Sequence, residues 1–198
     1  MTSILKADTI QDTDGNNIIN ENSNTITIGA SGDTTNIIGT LQNNGAAVGG
    51  TNTPAFEAYL SSNQSISTST ITKVQCNTEV FDTASAYDNS SNYRFTPQTS
   101  GKYFFYSVME MTSSSNNDLQ DVRSYFYKNG SLYKSAKFDN NDSTREANMV
   151  ITLTAVIDMN GSSDYVELFS FIEPNSGTAR ISGGSDKQTN FGAYKIIE

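Results

Sequence analysis

Apolar and polar residues alternate along most of the chain with a period of two, which is the pattern of β-strands with one covered face. Met149 to Met159 is the clearest case: Ile151, Leu153, Ala155, Ile157 and Met159 share one face. Lys102 to Met111 differs, because it is apolar on both faces at its start. Tyr103, Phe105 and Met109 lie on one side, and Phe104, Tyr106 and Val108 on the other. A strand apolar on both faces has to be covered on both. One face packs the core, and the other calls for a second sheet or a neighbouring subunit. Asp121 to Tyr127 runs into Lys128-Asn129-Gly130-Ser131, where Asn-Gly suits the positive-φ positions of a two-residue hairpin turn. Asn160-Gly161 predicts a further turn before Tyr165 to Phe171, and Phe191 to Ile197 forms a closing strand. Val74-Gln75-Cys76 also reads as strand, with Cys76 as a small buried hydrophobe. No segment shows the helical period. About eight to ten short strands separated by turns predict an all-β sandwich or jelly roll.

The N-terminal part is a different material. All 20 aromatic residues fall from Phe56 onward, and residues 1–55 contain none. This arm carries aliphatics at Ile10, Ile18, Ile19, Ile26, Ile28, Ile37 and Ile38, spaced by turn formers such as Asp14-Gly15 and Gly32-Asp33. Its aliphatics are too few to offset the entropy of ordering one copy on its own. Short strands around an Ile-lined axis shared by three copies would bury them. The expected organisation is a trimeric β-stalk over 1–41, a Gly/Asn-rich linker over 42–54 and an aromatic head over 55–198.

Charge narrows the partners. Twelve Lys and Arg stand against 21 Asp and Glu, for a net charge of −9. Phosphate binding needs clustered cations, so a nucleic-acid partner is not expected, nor is an anionic membrane surface. Met1 to Ile10 carries Lys6 and Asp8 and lacks the apolar core of a signal peptide, and no stretch is long and apolar enough to predict a membrane span. The absence of histidine removes Ser-His-Asp and Cys-His catalysis and His-ligated zinc. Glu167 and Glu173 are a conceivable glycosidase pair, but they alternate with aromatics and read as a solvated strand face. The chain is therefore not expected to be an enzyme or to need a cofactor. Two polar loops carry the remaining chemistry. Ser113 to Asp118 places Asn116, Asn117 and Asp118 on a loop suited to receptor contact, and Asn140 and Asn141 form a second such group. Asp139 and Asp142 flank that second loop with oxygens of the kind calcium favours, as Asp12 to Asn17 does faintly in the arm. A tight turn in the arm and a solvated loop in the head are the preferred readings of these two stretches.

Ordered motifs along the head resemble the C1q/TNF-like domain. Ala55 to Leu60 is similar to its opening strand. Tyr93-Arg94-Phe95-Thr96-Pro97 followed by Gly101-Lys102-Tyr103-Phe104-Phe105 is similar to its central "FTP…G.YxF" signature. Phe126 to Gly130 resembles its "KNG" hairpin, Leu153 to Val166 its "L…GDxV" element with extra residues between Gly161 and Asp164, and Phe191-Gly192-Ala193-Tyr194 its closing strand. The resemblance covers residues 55–198 and implies a ten-strand jelly roll that assembles as a compact homotrimer, with calcium bound in some members. It makes Phe104 and Tyr106 trimer-contact candidates beside the arm residues Ile18, Ile19, Ile26, Ile28, Ile37 and Ile38. The arm motifs Ile4 to Ile10, Thr27 to Asp33 and Gly39-Thr40-Leu41 resemble the N-terminal part of fibre proteins of marine tailed bacteriophages. That second resemblance implies a virion protein assembled in the bacterial cytoplasm. The arm would join other virion proteins and the head would meet a host surface glycan or protein. A neck, collar or capsid-decorating fibre without a receptor is the alternative.

Overall fold

The computed structural model describes residues 38–39, 41–43, 46–47, 52–115, 118–140 and 146–196. The chain divides into two units at Gly49/Gly50. In the first, β1 (Gln42–Asn43) and β2 (Ala46–Ala47) pair antiparallel, so the expected linker contains a minimal hairpin. Ile38 and Leu41 are exposed there. The other arm positions proposed for a three-chain axis, Ile18, Ile19, Ile26, Ile28 and Ile37, lie outside the described residues.

The second unit begins where the aromatics do. Its strands are β3 (Ala55–Tyr59), β4 (Gln64–Ser65), β5 (Thr72–Lys73), β6 (Thr78–Asp82), β7 (Tyr87–Asp88), β8 (Arg94–Phe95), β9 (Ser100–Ser113), β10 (Leu119–Lys128), β11 (Ser131–Asp139), β12 (Asn148–Asn160), β13 (Val166–Pro174), β14 (Ala179–Ile181) and β15 (Asn190–Lys195). No helix occurs among the described residues. The strands form a jelly-roll sandwich of two antiparallel sheets. One runs β6-β3-β15-β9-β12, with β14 and β4 attached to the far half of β9; the other runs β11-β10-β13-β8-β7, with β5 also on β13.

The core-facing rows are those the alternation marks. Met149, Ile151, Leu153, Ala155, Ile157 and Met159 of β12 are buried, as are Tyr103, Phe105, Met109 and Met111 of β9. Phe56 stacks between Tyr87 and Phe95 with ring centroids 4.5 Å from each, and the Phe191 ring meets it edge-on at 5.0 Å. The Asn129-Gly130 turn forms as the dipeptide predicts, with φ of 52° and 75° joining Lys128 to its partner Ser131. Gly161 at φ 72° has no room for a side chain, because a Cβ would lie 2.2 Å from the Ser100 nitrogen. Beside it the Asn160 side chain accepts the N–H groups of Ser162, Ser163 and Asp164, which closes the turn. Where β12 leaves a sheet edge open, Tyr133 Oη donates to the Val156 carbonyl at 3.0 Å and Lys128 Nζ to that of Asp158 at 2.7 Å. These two side chains tie the edges of the sandwich together.

One strand expectation fails. Val74 to Cys76 is irregular, because β5 ends at Lys73 and the chain turns across the sandwich to reach β6. Val74 N–H still bonds the Leu168 carbonyl at 2.9 Å, and Cys76 is fully buried, as its small apolar character predicts. Burial pushes its thiol well above the ordinary range, so it carries no thiolate.

Candidate functional site

The outward face of the larger sheet carries an apolar band. Phe104, Tyr106 and Val108 of β9 turn away from the core, as their place in the alternation requires. In register beside them lie Val156, Thr154 and Thr152 of β12, and Tyr194, Gly192 and Asn190 of β15. Phe104 and Tyr194 rings are 5.5 Å apart, and Tyr194, Val150 and Val156 are exposed at 37%, 60% and 48%. The Tyr106 ring lies across Gly192 and reaches β3, where its hydroxyl donates to Glu57 at 2.8 Å. A Cβ at residue 192 would fall 2.4 Å from that ring, so glycine is what lets Tyr106 lie flat. Burial, followed by this hydrogen bond to a carboxylate, holds the Tyr106 hydroxyl well above its ordinary pKa. The structure thus brings the trimer-contact candidates Phe104 and Tyr106 together on one open apolar face.

Three exposed apolar residues, Leu132, Tyr133 and Phe138, are spread along the edge strand β11; Leu132 is in register with the outward-facing Tyr127 and Phe138 with the core-facing Val122, so these two point to opposite faces. This strand has no partner beyond β10 among the described residues. Sequence reasoning did not single these residues out: strict alternation would put Leu132 and Phe138 on one face, and the bulge opposite Phe126/Tyr127 puts them on opposite ones.

The outward face of the smaller sheet combines rings and charges. Tyr127 and Phe169 rings are 4.5 Å apart, with Tyr125 beside Tyr127 at 6.2 Å. Lys73 and Arg123 sit over the Phe169 and Phe171 rings at 5.7 Å and 4.9 Å. Glu167 is a correction to the sequence reading, being buried instead of solvated: it forms an ion pair with Lys73 at 2.5 Å. Six residues apart on β13, Glu167 and Glu173 are separated by about 20 Å, too far for the ~5–9.5 Å carboxylate spacing of glycoside hydrolysis. Asp121 is held by Arg123 and by Lys137, whose Nζ also reaches Asp139 at 2.5 Å. Burial alone would raise the Asp121 pKa, but the hydrogen bonds from Arg123 and Lys137 outweigh it and hold it below the usual carboxylate range. Arg94 stacks on the Tyr165 ring at 4.4 Å.

The loop candidates separate. Asp118 is buried, and its carboxylate accepts the Ser176 hydroxyl, so it braces the loop instead of facing a receptor. Its carbonyl also accepts the Asn175 N–H at 2.9 Å. Asn140 is half-buried, with its N–H on the Gln120 carbonyl at 2.7 Å. Asp139 is spent on Lys137. Asn116, Asn117, Asn141 and Asp142 lie outside the described residues, as does the Asp12 to Asn17 loop. Among the described residues no group of three or more His, Cys, Asp or Glu side chains is placed to hold a metal.

No family model matches the sequence, and neither does any curated protein. Solved structures do. The Eiger TNF of S. frugiperda matches at 9% identity and TM-score 0.54, over 73% of this chain and 92% of that one. Murine APRIL matches at 11% identity and TM-score 0.52, over 72% and 98%. At these identities the likeness is one of fold, and it establishes the TNF/C1q-like jelly roll.

Proposed function

We propose that this chain is a structural virion fibre protein of a tailed bacteriophage, a homotrimer whose jelly-roll head attaches to a receptor on the host surface. The observation that supports the assembly part is the apolar band around Phe104 and Tyr106 on the outward face of the larger sheet, which no strand covers among the described residues. Packed against the next copy around a threefold rotation, that band closes three heads into a ring. A TNF/C1q-like head is the kind whose resemblance implies three copies. The virion part rests on the likeness of the arm to phage fibre proteins. Three heads on one fibre, and several fibres on a particle, turn weak receptor contacts into firm attachment through effective concentration.

Adsorption tests the attachment reading. Purified full-length chain competes with the phage for host cells if the head binds a receptor. No competition at saturating concentration supports a neck, collar or capsid-decorating fibre. Absence of the chain from purified particles by mass spectrometry refutes both.

A further inference from the structure

The smaller sheet turns one face to the core. Its other face, centred on β13, is covered by no strand among the described residues. Charges there are unusually well settled for a chain with a net charge of −9: Lys73 pairs with Glu167, and Arg123 and Lys137 pair with Asp121. Arg94 is the exception. Among the described residues no carboxylate lies within ion-pair reach of its guanidinium, although acids outnumber bases in the chain. Its antiparallel neighbour Asp88 would be the natural partner. That carboxylate is turned away and committed to a turn, taking the N–H groups of Ser90, Ser91 and Asn92 at 2.9–3.1 Å. Arg94 instead stacks on Tyr165 at 4.4 Å. A guanidinium held over a ring at this distance keeps its N–H donors at the rim of the contact, from which a fork can take a carboxylate with two parallel hydrogen bonds.

Across the sheet from Arg94, with Glu167 between them, lies Tyr127. Two strand spacings place it about 10 Å away, and its ring forms the 4.5 Å pair with Phe169. The face therefore offers the Tyr127 and Phe169 rings, tilted by 42° to one another with Lys73 over Phe169, next to one unpaired cationic fork. β13 is an interior strand, flanked on both sides, so it presents no backbone edge to an extended peptide. A pyranose carrying a carboxylate needs neither edge nor groove. It has an apolar C–H face for the rings and an anion for the fork within one rigid unit.

We propose that the outward face of β13 is a binding site for an acidic saccharide, with the sugar carboxylate on Arg94 and the sugar ring on Tyr127, which Phe169 holds in place. This rests on the attachment reading for its biological role, though not for its chemistry. The test titrates the full-length chain with oligosaccharides ending in glucuronic, galacturonic or sialic acid, with an uncharged chito-oligosaccharide and with an oligoglutamate peptide, followed by calorimetry and by the ring resonances of Tyr127. The expected result is binding of an acidic sugar, a shift of those resonances, and about a tenfold or greater loss of affinity in Arg94→Gln. Phe169→Ala weakens binding with the fork intact, and melting curves show that both variants are folded. Binding of none of the sugars overturns the site, as does equal affinity for the uncharged sugar or the peptide, or unchanged affinity in Arg94→Gln. Adsorption separates the two readings. If wild type and Arg94→Gln compete equally with the phage, attachment stands without this site, and the titration alone decides whether the site binds the sugar. If wild type fails to compete, attachment is wrong while the titration still decides the site.

Discussion

Replacing Gly192 with alanine tests how the open face is built. The residue lies in β15 directly beneath the Tyr106 ring, and the added Cβ would sit 2.4 Å from both the ring carbon that bears the hydroxyl and the hydroxyl oxygen. The backbone there cannot yield easily, because β15 is held between β9 and β3. The ring has to move. It is the far end of a flexible side chain and can swing outward, so the cost is that of mild overpacking, at the low end of ~1–3 kcal/mol. Swinging also breaks the 2.8 Å hydrogen bond to Glu57, which adds about 1–2 kcal/mol for a bond to a charged acceptor at a half-exposed site. Gly192→Ala should therefore destabilise the head by roughly 2–3 kcal/mol, or ~4–12 °C in melting temperature for a domain of this size. Thermal unfolding of the single variants and of Gly192→Ala/Tyr106→Ala measures it. With the ring gone the alanine has nothing to strike, so the double variant should be no less stable than Tyr106→Ala alone. Additive losses in the double variant would refute the account of why glycine stands there.

Other consequences follow from the same structure. Backbone N–H groups of Ser91 and Ser90 hold the Asp88 carboxyl below its ordinary pKa, and a side-chain hydrogen bond from Lys128 does the same for Asp164. A depressed folded-state pKa contributes stability that is present above the unfolded value, about 3.9 for Asp, and lost as pH falls through the folded value. Urea midpoints should thus decline below about pH 4, and less steeply in Asp88→Asn; identical slopes would contradict this. The Ser107 and Ser124 hydroxyls are buried with no partner among the described residues, so Ser124→Ala should leave the melting temperature unchanged or raise it by the equivalent of up to ~1 kcal/mol, and a clear loss would show that the hydroxyl is satisfied. Lys73→Met strands the buried Glu167 carboxylate and should cost about 1–3 kcal/mol, discounted because Lys73 is 31% exposed. Adding Glu167→Gln to it should recover part of that loss in urea unfolding, and no recovery would argue against the pairing.

Period-two patterning made the core rows of β9 and β12 legible, because a buried strand face must be apolar at every second residue. The same logic marked Phe104 and Tyr106 as needing an outside cover. Asn129-Gly130 was legible because few dipeptides accept positive φ twice in succession. Glu167 was not: a carboxylate between aromatics reads as solvated until β5 brings Lys73 alongside it from 94 residues away in sequence. Asp118 misleads for a similar reason, since its loop composition is polar while its partner Ser176 arrives from beyond β13. Arg94 sits inside a motif that reads as core, and only the stack on Tyr165 and the diversion of Asp88 set its guanidinium apart.

Assembly is the claim on which the fibre reading depends, and the mass of the full-length chain in solution tests it most directly. Light scattering across a range of concentrations should give three times the 21.5 kDa chain mass, and Tyr106→Glu, which places a charge on the open face, should shift that mass toward a single chain. A wild-type mass of 21.5 kDa at every concentration would contradict the account.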